Sequence, residues 1–85
     1  MTLADGTEVV HSEIIKVNSI EVVDVYFERP DTKYGFCTAN CRLPQKEWTK
    51  VHGFSKEDCQ FLTKFINNNF SIIYDMAKIG GFKNA

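Results

Sequence analysis

Residues 8–29 read EVVHSEIIKVNSIEVVDVYFER, and this stretch decides the fold. Two runs rich in Val and Ile, 8–17 and 20–29, flank Asn18-Ser19. Branched side chains suit a pleated surface, and Asn tolerates the positive φ of a two-residue hairpin turn. The turn sets Val17 against Ile20, Lys16 against Glu21 and Ile14 against Val23. Carried outward, the same register sets Ser12 against Val25 and Val10 against Phe27. Successive side chains alternate between faces. One face then carries Val10, Ile14, Val23, Val25 and Phe27. The other carries Val9, Ile15, Val17, Ile20, Val22 and Tyr26.

Downstream, Arg29-Pro30-Asp31-Thr32-Lys33 reads as a turn with φ preset by proline. Residues 34–43 (YGFCTANCRL) form a third strand with one small apolar face: Cys37, Ala39, Cys41 and Leu43. A three- or five-residue connection joins that face to Val23, Val25 and Phe27. A four-residue connection would bury Thr38 and Asn40, which is costly without partners. Residues 44–53 (PQKEWTKVHG) fit three forms: a short helix opened by Pro44, a fourth strand, or an ordered loop packing Trp48 on the core.

A helix follows over 55–78. Ser55 is its N-cap, with Asp58 three residues on and Phe54 and Cys59 at staple positions. Gly80-Gly81 supplies the stop. At about 100° per residue, Cys59, Phe61, Leu62, Phe65, Ile66, Phe70, Ile72, Ile73, Met76 and Ala77 fall in one arc of roughly 180°. Asn69 interrupts the arc, and Asn67-Asn68-Asn69 is a candidate break. The expected architecture is one α+β domain spanning 1–85. It has two layers: an antiparallel meander of three strands, or four with the connector, against one long C-terminal helix.

The 85 residues are 44% hydrophobic and 25% charged, with a net charge of −1. These values exclude a disordered tail, a strongly basic nucleic-acid binder and an acidic mimic of nucleic acid. The N-terminal MTLADGTE has no basic or apolar leader pattern, and no run approaches the ~18 apolar residues of a membrane span. Three cysteines without a secretory pattern suit reduced thiols, so a cytoplasmic setting is expected.

Few motifs carry chemistry. Cys37, Cys41, His52 and Cys59 give C-x3-C-x10-H-x6-C. On a strand, Cys37 and Cys41 would stand about 13 Å apart, too far for one tetrahedral zinc. No metal, cofactor or enzymatic activity is expected. Cys59, in the first helical turn, would feel the helix dipole lower its pKa, but no oxyanion hole or orienting group accompanies it. The hairpin register sets Glu13 opposite Asp24, beside His11 opposite Tyr26, a like-charge pairing. Residues 1–31 are acidic and 32–85 basic, with Arg42, Lys46, Trp48 and Lys50 forming a basic strip with an aromatic. Such a strip binds single-stranded nucleic acid through phosphates and stacking.

One helix cannot cover both faces of this sheet, and large exposed apolar patches are uncommon on soluble monomers. The expected function is therefore a small non-enzymatic interaction or regulatory module, pairing most simply with a second copy. The expected interface is Ile15, Val17, Ile20, Val22 and Tyr26, edged by exposed helix residues. The alternatives are a weak nucleic-acid binder using Arg42, Lys46, Trp48 and Lys50, and a thiol- or zinc-dependent enzyme.

Overall fold

Asn18 and Ser19 both take positive φ, 52° and 67°, as a tight hairpin turn between right-twisted strands requires. The computed structural model, which describes residues 1–33 and 35–80, builds outward from this turn. β1 is Glu8–His11, β2 Ile15–Val17, β3 Ile20–Asp31, β4 Gly35–Leu43, β5 Glu47–His52 and α1 Lys56–Ile79. The antiparallel sheet runs β1-β3-β4-β5, with β2 also on β3. The α+β architecture is as expected, and the connector is the fourth strand of the meander.

At the turn the expected register holds: Val17 pairs with Ile20 and Lys16 with Glu21. Further out it shifts by one residue. Val9 pairs with Phe27 and His11 with Val25. The shift occurs at Ser12, Glu13 and Ile14, which leave the ladder. Ser12 makes this possible. Its N–H donates to the Asp24 carbonyl at 2.9 Å. Its hydroxyl accepts from the Asp24 N–H at 2.9 Å and donates to the Glu13 carbonyl at 2.7 Å. A one-residue slip exchanges faces. Val9, not Val10, therefore joins the core, and His11 is buried with its Nδ1 3.0 Å from the Ser12 carbonyl oxygen.

β4 follows the expected pattern. Leu43 pairs with Val23, Cys41 with Val25 and Ala39 with Phe27. Asp31 pairs with Gly35, leaving the three-residue connection 32–34. Pro30 lies within β3 and not in the turn. β1 ends opposite Glu28, so β3 is by then an edge on that side, where a strand tolerates proline. Tyr34, expected to open the third strand, and Gly81, expected to share the helix stop, lie outside the described residues.

β5 pairs Asn40 with Lys50 and Cys41 with Trp48, so Thr49 is the extra residue of a bulge. The bulge turns Trp48 toward the helix, where its ring centroid lies 5.8 Å from that of Phe27. Phe65 meets Phe27 edge-on from α1 at 6.2 Å. Phe27, with no exposed surface, is the centre of the core.

Ser55 caps α1 with a reciprocal capping box: its hydroxyl accepts from the Asp58 N–H, and the Asp58 carboxylate accepts from the Ser55 N–H. The helix does not break at Asn67–Asn69. Asn69 bonds back to the Phe65 carbonyl at 2.8 Å, which satisfies its amide inside the helix. Arg29 joins three segments at the N-terminal end of α1: it contacts Asp5 at 3.2 Å and Asp58 at 3.3 Å and lies 5.0 Å over the Phe54 ring.

Candidate interaction surface

The sheet face turned away from α1 is polar over most of its breadth. The pairings place Tyr26, Asn40 and Lys50 in one cross-strand row, and Asp24, Arg42 and Glu47 in the next. Arg42 grips Asp24 through Nε at 2.8 Å and Nη2 at 3.0 Å. These hydrogen bonds from the guanidinium hold the Asp24 carboxyl below the usual carboxylate range. Asn40 donates to Thr49 at 3.0 Å. A shallow concavity of about 400 Å³ lies among Asp24, Tyr26, Asn40, Arg42 and Lys50.

The apolar part of this face is confined to the hairpin end. Of the residues expected at an interface, Ile20 is 52% exposed, Ile15, Val17 and Tyr26 are half-buried, and Val22 is 2% exposed. Tyr26 donates its hydroxyl to Glu28 at 3.1 Å. Val22 is thus a core residue and cannot touch a partner. The N-terminal residues leave this face open. They fold along the outer edge of β1, where the Val9 N–H donates to the Met1 carbonyl at 2.8 Å.

The basic strip is not brought together. Arg42 and Lys50 stand on the open face, Trp48 points to the helix, and the Lys46 ammonium lies 5.6 Å over the Phe70 ring. Trp48 is half-buried on the helix side of the sheet, so it shares no face with Arg42 and Lys50. The like-charge pairing also falls elsewhere. Glu13 is exposed and Asp24 pairs with Arg42, while Glu8 stands opposite Glu28. Each of these glutamates accepts a hydroxyl, from Thr2 and Tyr26 respectively.

Cys37 and Cys41 are buried in β4, and no three or more His, Cys, Asp or Glu gather as a metal site among the described residues. Burial pushes the Cys41 thiol up to about 11. Burial and the neighbouring Asp58 carboxylate also raise Cys59, opposite to the lowering expected from the helix dipole. A raised pKa leaves little thiolate near neutral pH. In the folded protein at pH 8, Cys41 is expected to react with a thiol-specific disulfide reagent at least ~100-fold more slowly than in urea. Rapid labelling of all three thiols before unfolding would contradict this placement.

The apolar surplus sits on α1. Leu62, Ile66, Ile73 and Ala77 are buried against the sheet. Phe61 is 54% exposed, Ile72 55%, Met76 37% and Ile79 81%. On a helical projection Phe61, Ile72 and Ile79 lie within about 20° of one another, with Met76 about 60° round toward the core seam. They form a ridge on the flank of α1 away from Cys59 and Thr63, which line a hollow beside Trp48 of β5. Phe61, Ile72 and Met76 belong to the wide arc seen in the sequence. The arc's excess over the ~100° needed for one sheet contact was the signal for the ridge. Ile79 lies beyond the helix end expected from sequence.

No helix among the described residues is long and apolar enough to cross a membrane. Comparison with known proteins finds no matching family, no similar curated protein and no similar solved structure.

Proposed function

We propose that the chain is a small, non-enzymatic interaction module that works by protein–protein contact, with a second copy as its partner. The ridge of Phe61, Ile72, Met76 and Ile79 carries this reading. An aromatic side chain presents about 150–250 Å² and Ile or Met somewhat less, so at these exposures the ridge offers roughly 400 Å² per copy. Two ridges covering each other remove roughly 800 Å² from water, a gross gain of about 20 kcal/mol at ~25 cal/mol/Å². That exceeds the ~4–15 kcal/mol cost of association. The thiols support the non-enzymatic part of the reading: Cys37 and Cys41 are buried in the core, and the pKa values of Cys41 and Cys59 are raised. Three free cysteines suit a reducing, cytoplasmic setting.

Light scattering on the full chain at micromolar concentration tests the reading. The expected mass is twice 9.7 kDa. Ile72→Glu is expected to return it to the monomer value with helical circular dichroism unchanged, because Ile72 lies outside the core cluster and is more than half exposed. Unchanged mass in Ile72→Glu would remove the ridge from the interface.

A further inference from the structure

The ridge is bordered by charge in a way that specifies how two copies meet. Beside Phe61 and Ile72, on the flank turned away from the sheet, stand Asp75 and Lys64, the latter also at the rim of the hollow beside Trp48. Both are exposed, and they lie within about 20° of each other on the projection. Two helices packed antiparallel about a two-fold axis set like flanks against each other, and an isologous contact is made twice. An axis passing near Phe70 sets Phe61 against Ile79 of the partner subunit. It also brings Lys64 to within about one residue rise, ~1.5 Å along the axis, of the partner's Asp75. A parallel arrangement would not do this, since it sets Lys64 level with Lys64 of the partner subunit.

We infer that the module dimerises through an antiparallel α1–α1 contact, with the apolar ridges meeting at the centre and Lys64–Asp75 ion pairs formed reciprocally along one flank. The ridge from Phe61 to Ile79 is about 27 Å long at 1.5 Å per residue. With Lys64, Asn68 and Asp75 included, the contact covers roughly 1,200 Å² in total, the lower bound for a specific, stable interface. The polar flank supplies direction and the ridge supplies affinity. Asn68, facing Ile72 of the partner subunit near the axis, is the polar position that penalises shifted registers. The inference rests on the interaction reading above and adds orientation and register to it.

Charge exchange on the full chain tests it by sedimentation equilibrium at low salt. Lys64→Asp and Asp75→Lys each replace two attractive contacts with two repulsive ones. Each is expected to raise the dimer dissociation constant about tenfold. Lys64→Asp combined with Asp75→Lys restores both pairs with signs exchanged and is expected to recover affinity to within about threefold of the native chain. Both positions are exposed, so circular dichroism should show unchanged helix in every variant. A dimer indifferent to the single changes, or a double variant as weak as the singles, would overturn this orientation while leaving the ridge as an interface. A native chain that stays monomeric at ~100 μM would overturn self-pairing itself.

Discussion

Phe27→Ala is expected to remove most of the stability of the fold. Phe27 has no exposed surface and sits where three elements converge, with Trp48 of β5 and Phe65 of α1 on its ring. Truncating a buried phenylalanine costs about 3–5 kcal/mol, the upper part applying where the surroundings cannot close over the cavity. Here they are held by hydrogen bonds elsewhere: Ala39 and Val9, its strand neighbours, lie in the ladder, and Phe65 is fixed by the helix. A domain of this size has a net stability of only about 4–13 kcal/mol. The urea midpoint followed by Trp48 fluorescence and circular dichroism should therefore fall by about 3–5 M, at a slope near 1 kcal/mol/M. Phe27→Leu, which keeps most of the volume, should lose under about 2 kcal/mol. A loss below about 1 kcal/mol for Phe27→Ala would mean that the Trp48–Phe27–Phe65 cluster is not the centre of the core. Phe36, 51% exposed on the polar face, is the control. Its truncation should change stability by less than about 0.5 kcal/mol.

The elements legible from sequence are those whose signals are local. Asn18-Ser19 specifies its own turn, and Lys16–Glu21 follows from it. Ser55 and Asp58 are a capping box at fixed spacing. The alternation of Cys37, Ala39, Cys41 and Leu43 excludes an even connection because the other choice buries Thr38 and Asn40. What escaped depends on single residues inserted into a ladder. Ser12 replaces a backbone partner with its hydroxyl, and that substitution moves Val9 inward and Val10 outward. In sequence, a serine between His11 and Glu13 has no periodic signature. The Thr49 bulge is the same kind of event. Without it Cys41 would face Thr49, and Trp48 would point away from the helix into the polar face. The two insertions together decide which side chains are left over. They bury Val9 and turn Trp48 toward the helix, and they leave the outer face polar. The candidate surface thus moves from the sheet, where a regular ladder would put it, to α1. The arc width showed that surplus apolar area exists. It could not show on which side of the helix the area lies, because that depends on how α1 crosses the strands.

Gly53→Ala is expected to be nearly as damaging as the loss of Phe27, by a different route. Gly53 joins β5 to the helix cap and takes φ +86°, a left-handed conformation that costs a residue with a Cβ about 1–2 kcal/mol. A Cβ built there would stand 2.8 Å from the Cys37 Sγ and 3.2 Å from the Cys37 Cα. Neither neighbour can move freely: Cys37 is 1% exposed and paired with Arg29 in the sheet. Overpacking of this kind costs a further ~1–3 kcal/mol. Two flanking positions make the strain consequential. Phe54, next in the chain, is buried under the Arg29 guanidinium, and Ser55 after it begins the capping box. Backing the chain away from Cys37 would withdraw Phe54 and misplace the first turn of α1. The expected loss is about 2–5 kcal/mol, measured by urea titration. The two contributions separate in a double-mutant cycle. Cys37→Ala takes away the sulfur at 2.8 Å but leaves the residue's backbone carbon at 3.2 Å and the positive φ unchanged. Cys37→Ala with Gly53→Ala should therefore recover part of the loss, a coupling of about 1 kcal/mol. Full recovery would assign the whole effect to the sulfur and deny that the backbone at Gly53 is strained. No recovery would place the cost in the backbone alone.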